Sequence, residues 1–309
     1  MEAPDNEASS TARTGSARRP RAARTPAGLR NSTPAQSLGA APAKAPSAPP
    51  EAAGSAPRWK VASVSVRGTS HERAGGVCQD SHCVRETAPD RLIAAIADGA
   101  GSAARSEIGA EIAARTAVDA LCELLADGGA PPNTDEAWAI ALRAAMDRAR
   151  AAVECEAERL GLTPRELAST LILLFATPAL AAAAQIGDGA AVIADADGEL
   201  AILTVPQSGE YLNETTFLVT PGAVEAAQTA VWRGPMRFAA AFSDGLQILA
   251  LRLSDHSPHP PFFAPLMQFI AAERDMEEAQ AKLASFLVSP RITERADDDL
   301  TLLLAQWAG

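Results

Sequence analysis

Apolar and polar residues first fall into register at Trp59. There "WKVASVSV" alternates at the two-residue spacing of a strand. "SHCVRE" and "RLIAAIAD" predict the next two strands. From about Ser102 to Ala126 the period lengthens, and Val118, Leu121 and Leu125 recur at steps of three and four, which predicts a helix. "PPN" interrupts it. Asn133 is placed to cap a second helix, with Asp135 and Glu136 in its first turn and Trp138, Leu142, Ala145, Ala149 and Val153 as its buried stripe. After "GLTPREL" the short period returns in "STLILLFAT", "AAAAQIGD", "AAVIADA" and "ELAILTV". Turn signals at Pro178, Asp188-Gly189 and Asp197-Gly198 separate these runs, which predicts an antiparallel meander. "MRFAAAFSDG" predicts another strand, "PFFAPLMQFIAAE" and "DMEEAQAKLASFLV" two helices, and "LTLLLAQWA" a last strand. Strands and helices come in blocks and do not alternate, so the fold class is α+β with antiparallel sheets.

Composition changes this picture mainly at the N-terminus. Residues 1–57 are rich in Ala, Pro, Arg and Ser and nearly lack large apolar side chains, so they read as a disordered tail preceding a domain at 58–309. The chain has 309 residues, 47% of them hydrophobic, enough for a sizeable core. Its net charge is −11, although the segment through Arg58 is basic. The acidic body argues against nonspecific nucleic-acid binding. Cys78, Cys83, Cys122 and Cys155 are too few and too scattered for a disulfide framework. The N-terminus lacks the apolar core of a secretory signal. The longest apolar run, "LILLFATPALAAAA", is broken by Pro178 and is shorter than the ~20 residues that span a bilayer. The expectation is a cytoplasmic protein with no membrane span.

The candidate chemistry lies in aspartates at the ends of apolar runs. Asp80 is in "CQDSHCV", Asp98 in "IADGAG", Asp188 in "IGDGAA", Asp244 in "FSDGL", and Asp297, Asp298 and Asp299 open "DDDLTLLLA". A carboxylate at the end of a buried strand is costly unless a cation receives it. Converging carboxylates and a backbone carbonyl are hard oxygen ligands, suited to Mg²⁺ or Mn²⁺. Each Asp-Gly pair alone is also an ordinary turn. One segment admits another reading. Gly99-x-Gly101-x-x-Ala104 fits the dinucleotide-binding fingerprint, but that fold needs parallel βαβ units, and Asp98 would repel a pyrophosphate.

Taken in order, "HERAGGVCQD", "IAAIADGAGSA", "ASTLILLF", "QIGDGAAV", "FAAAFSDGL" and "DDDLTLLLA" resemble the motifs of the metal-dependent serine/threonine protein phosphatases of type 2C, in a divergent bacterial-type branch. The resemblance covers residues 59–307. It implies a four-layer α-β-β-α sandwich, with two antiparallel sheets face to face and helix pairs outside. It also implies two Mn²⁺ or Mg²⁺ ions and a third, weaker one. Asp98 would bridge two metals and the Gly99 carbonyl would ligate one. Asp244 and Asp298 would hold the other, Asp80 would support the second, and Asp188 would help hold the third. The implied catalytic residues are Asp98, Asp244 and Asp298. The implied reaction is hydrolysis of phosphoserine or phosphothreonine on proteins by a water bridging two metals, opposing a serine/threonine kinase.

Several positions depart from the family pattern. Ala100 stands where a His is frequent, Gly75 where a phosphate-binding Arg is frequent, Ala190 where another Arg is frequent, and Asp299 where Asn is usual. His71 and Arg73 are nearby candidates for phosphate contact, as is Arg105, for which a surface ion pair is an equal alternative. Tyr211 and Asn213 are candidates in a variable flap. The missing Arg and His leave open a pseudophosphatase that binds phosphorylated partners without turnover. Cys78, His82 and Cys83 crowd Asp80 but lack a second pair with zinc-site spacing.

Overall fold

The computed structural model describes residues 56–126, 131–207 and 215–309. Most of the predicted tail, and Tyr211 and Asn213, lie outside these residues. The strands are β1 (Arg58–Val66), β2 (Ser81–Ala88), β3 (Arg91–Ala97), β4 (Leu171–Thr177), β5 (Leu180–Ile186), β6 (Ala190–Asp195), β7 (Leu200–Thr204), β8 (Gln228–Arg233), β9 (Met236–Phe242) and β10 (Leu300–Ala308). The helices are α1 (Thr69–Ala74), α2 (Ser106–Ala126), α3 (Asp135–Leu160), α4 (Gln247–Ala250), α5 (Pro260–Ala272), α6 (Met276–Leu287) and α7 (Pro290–Thr293). Two five-stranded sheets form, in the orders β1-β10-β9-β6-β7 and β2-β3-β4-β5-β8. Every strand pair in them is antiparallel, which removes the dinucleotide reading.

The layers follow from strands that are apolar on both faces. On β3, Leu92, Ala94 and Ile96 meet Ile193, Ala239 and Leu303 of the opposite sheet. Ile93 and Ala95 point the other way, into a core built with Val118, Leu121, Trp138 and Leu142 of α2 and α3. Leu302 and Leu304 of β10, with Phe238 and Phe242 of β9, pack on Phe263, Ile270 and Leu283 of α5 and α6. This is the expected four-layer sandwich. Period-two alternation places successive residues in different cores, so such a strand reads in the sequence as an unbroken apolar run.

Helix α2 begins at Ser106, later than the sequence pattern predicts, because the Arg105 N–H donates to Glu166 O at 2.9 Å and ties the preceding loop to the turn Pro164–Leu167. The cap of α3 is Thr134, one residue beyond the expected Asn133: its Oγ1 accepts the Ala137 N–H at 3.1 Å. The Asn133 carbonyl instead accepts Arg233. The four runs after "GLTPREL" are not one meander. β4 and β5 form a hairpin in one sheet, β6 and β7 a hairpin in the other, and the chain changes sheets at residues 187–189. Gly187 has φ +105°, and a Cβ at Gly189 would lie 2.6 Å from Phe242 O, so this crossover needs both glycines. The pattern also misses β8, an edge strand of mostly half-buried residues with no clear alternation.

Gly109 sits inside α2, where a Cβ would lie 1.8 Å from Leu167 O. Helix propensity alone predicts that Gly109→Ala stabilises by up to ~1 kcal/mol. The packing predicts the opposite sign, a loss of about 1–3 kcal/mol in urea unfolding. A gain would show that α2 does not pass against the Pro164–Leu167 turn.

Candidate metal centre

The site forms where strands of both sheets end. Asp98 follows β3, and its backbone is pinned on both sides by Thr170: Asp98 N donates to Thr170 Oγ1 at 3.0 Å, and Thr170 N donates to Asp98 O at 2.8 Å. A Cβ at Gly99 would lie 2.6 Å from Gln79 O, so glycine lets the segment bearing Asp80 pass close beneath. Asp188 occupies the crossover between the sheets. Asp244 follows β9 and opens a 3-10 turn, Asp244–Leu246, that leads into α4. Carboxylate oxygens of Asp98, Asp188 and Asp244 all lie within 4.8 Å of one another.

The electrostatics of this cluster are unfavourable without a cation. Burial pushes Asp80 up to about 7, and the Ser243 and Thr301 hydroxyls offset only part of that. Those hydroxyls lie near Asp80, but neither of its oxygens has a partner in hydrogen-bond geometry. Burial holds Asp98 well above the usual carboxylate range, and the charges of Asp80 and Asp244 add to the effect. Asp244 is raised by burial and by Asp188 and Asp298, against a hydrogen bond with Asp98 that lowers it. Among the described residues, no Lys or Arg forms an ion pair with Asp80, Asp98, Asp188, Asp244 or Asp298. Orphaned buried oxygens and converging carboxylates are a donor set that fits a hard divalent cation.

The other candidates fall around this centre. Asp298 is exposed, and its Oδ1 accepts the Asp299 N–H at 2.8 Å. Asp299 is buried and accepts the backbone N–H groups of Gly68 and Gln79, each at 2.6 Å, while His71 Nδ1 lies 2.9 Å from its Oδ2. A neutral Asn there has a single acceptor oxygen and could not repeat this arrangement. His71 thus lies beside Asp299, although its Nδ1 has no partner in hydrogen-bond geometry. Arg73 donates to Thr69 Oγ1 at 3.0 Å, and Arg105 pairs with Glu107 at 2.8 Å on the surface. Cys78, His82 and Cys83 do not converge as ligands. His82 Nδ1 meets Ser65 Oγ at 2.9 Å, and burial first, then the charges of Asp299 and Asp80, push the Cys78 thiol up to about 12.

Sequence reasoning missed the residues that hold Asp188. Thr215 Oγ1 donates to Asp188 Oδ2 at 2.7 Å, and the Gln247 amide donates to the Asp188 carbonyl. Gln185 is fully buried, and its amide donates to Gly187 O at 3.1 Å, Gly189 O at 2.7 Å and Val205 O at 3.0 Å. Only Gln185, a lone polar residue at the end of the alanine run 181–184, carried a signal of this role.

A carboxyl whose native pKa is raised destabilises the fold as pH climbs above its unfolded value of ~4, and costs nothing below that value. Asp98→Asn removes this cost. In EDTA at pH 8 the variant is expected to melt a few degrees above the parent, given ~2–4 °C per kcal/mol for this size. The gain should vanish near pH 4. A lower Tm for the variant at pH 8 would contradict the uncompensated cluster.

The chain as a whole is similar to known phosphatases. The family model for protein phosphatase 2C matches residues 67–288. The curated serine/threonine-protein phosphatase 3 of Escherichia coli (strain K12) is 36% identical over 257 residues, covering 81% of this chain and 99% of that protein. The serine/threonine phosphatase Stp1 from Staphylococcus aureus shares the fold at a TM-score of 0.54 and 13% identity, over 81% of this chain and 95% of its own. PppA of Pseudomonas aeruginosa, described as a key regulatory component of T6SS, does so at 0.52 and 20%, over 81% and 98%. The family match spans most of the described chain and takes in four of the five site aspartates, so the chain belongs to the protein phosphatase 2C family of serine/threonine phosphatases.

Proposed function

We propose that this protein hydrolyses phosphoserine and phosphothreonine esters of protein substrates at a divalent-metal centre built on Asp98. The observation that carries the reading is the meeting of Asp98, Asp188 and Asp244 oxygens within 4.8 Å of one another, with no cationic side chain paired to them among the described residues. Asp98 and the Gly99 carbonyl, Asp244 with Asp298, and Asp80 would hold two Mn²⁺ or Mg²⁺ ions, and Asp188 would contribute to a third. When bound, such ions supply an activated water and draw charge from the phosphoryl oxygens.

The remaining work belongs to the chain. The crossing backbones at Gly99 and Gly189 hold in place the turns that bear Asp98 and Asp188, so little backbone reorganisation is left for the reaction step. Ala100 places no proton donor after the Asp-Gly pair, and Ala190 no cation after the crossover. The substrate contacts therefore differ from the common family pattern. We further read residues 1–57 as a tail distinct from a catalytic domain at 58–309, acting in the cytoplasm against a serine/threonine kinase. No described helix is long and apolar enough to cross a membrane.

A second reading, a pseudophosphatase binding module, is favoured by one observation. Arg73 and Arg105 are both engaged with neighbouring side chains, and Gly75, Ala100 and Ala190 offer phosphate nothing. One assay separates the two. Turnover of a phosphothreonine peptide is expected with Mn²⁺, and its loss with EDTA. Asp98→Ala should cost at least ~100-fold, since each tenfold is ~1.4 kcal/mol and cation stabilisation of the transition state is worth several. Peptide binding without turnover across several metals would support the module instead. Full activity in Asp98→Ala would remove Asp98 from the centre.

A further inference from the structure

The backbone around Asp188 and its carboxylate are held by different groups. Gln185 satisfies the carbonyls on either side of Asp188, at Gly187 and Gly189. Gln207 closes the same turn: its N–H donates to Gly187 O at 3.1 Å, and its Oε1 accepts Gly187 N at 3.3 Å. Gln247, three residues after Asp244, donates to the Asp188 carbonyl and ties the two acidic turns together. None of these contacts touches the Asp188 carboxylate, which still rotates about two bonds. Among the described residues, its hydrogen-bond partner is the Thr215 hydroxyl, at 2.7 Å from Oδ2.

We propose that Thr215 is a positioning residue for the metal centre: it holds one oxygen of Asp188 so that the other stays turned toward Asp98 and Asp244. The inference rests on the metal-centre reading above. A carboxylate has two oxygens, and a donor on one fixes the direction of the other. Partners that hydrogen-bond a ligating carboxylate orient it, and removing one typically lowers metal affinity ~10–100-fold. Thr215 is well suited to this. It is half-buried, and it comes from a different part of the chain than the turn it holds. The glutamines would keep the turn intact if the hydroxyl were lost, so its effect is separable from folding.

The test is a calorimetric titration of metal-free full-length protein with Mn²⁺, comparing wild type, Thr215→Val, Thr215→Ser and Asp98→Asn. Thr215→Val keeps the shape and loses the donor. It is expected to bind Mn²⁺ about 10–100-fold more weakly, with its metal-free Tm close to wild type. Thr215→Ser restores the donor and should bind as wild type does. Turnover by Thr215→Val should recover as Mn²⁺ is raised, a rescue that a merely structural lesion would not give. Wild-type affinity in Thr215→Val, or an equal loss in Thr215→Ser, would overturn the role of the hydroxyl while leaving the metal centre standing. Wild-type protein that takes up no Mn²⁺, or Asp98→Asn that binds it unchanged, would overturn the metal-centre reading and this inference with it.

Discussion

Carboxylates gathered at one end of the sandwich cannot all carry charge in each other's company. Asp98 is raised by its own burial and by three neighbouring aspartates, Asp80, Asp244 and Asp188, and Asp80 is buried with neither oxygen in hydrogen-bond geometry. A protein that needed only stability would replace these residues with apolar or amide side chains. Keeping them makes the fold pay for a site that only a cation completes.

The architecture around them resists that repulsion. Strands from both sheets end at the centre, and the connecting turns are locked mainly by hydroxyl side chains, with Asp299 added at the C-terminal loop. Thr170 pins the backbone of Asp98 on both sides. Ser243 Oγ accepts the Thr301 N–H at 2.9 Å, and Thr301 Oγ1 meets Ser65 Oγ at 2.6 Å, so β9, β10 and β1 are joined beside Asp244. Asp299 ties two backbone amides, one of them Gln79 next to Asp80, to the C-terminal acidic loop. The hydroxyls of Thr170, Ser243 and Thr301 thus act as staples. They set where the aspartates point and take no part as ligands in the proposed chemistry.

Much of this was legible in the sequence, and the reasons are local. Apolar runs ending in Asp-Gly marked β3 and β9, because a strand buried on both faces must be continuous and its end must turn. The long helices showed their buried stripes, Trp138 to Val153 among them. The sheet assignment of β5 and β6 was hidden, because an alanine-rich run has the same period in either sheet. Edge strand β8 was hidden because neither face is fully buried. At the site, the aspartates stood out as costly residues in apolar surroundings. Thr215 and Gln247 did not, because their partners lie 27 and 59 positions away in the chain, and the hold of Asp299 on Gly68 and Gln79, more than 200 positions away, was equally hidden. A hydrogen bond of that kind leaves no periodicity to read.

The central claim is that these aspartates exist to hold divalent cations. Anomalous scattering at the manganese edge, from crystals of the full chain soaked in Mn²⁺, tests it most directly. The account predicts strong peaks bounded by the carboxylates of Asp98, Asp188 and Asp244, absent in crystals of Asp98→Asn. Crystals with no peak there, or with manganese bound only elsewhere, would contradict it.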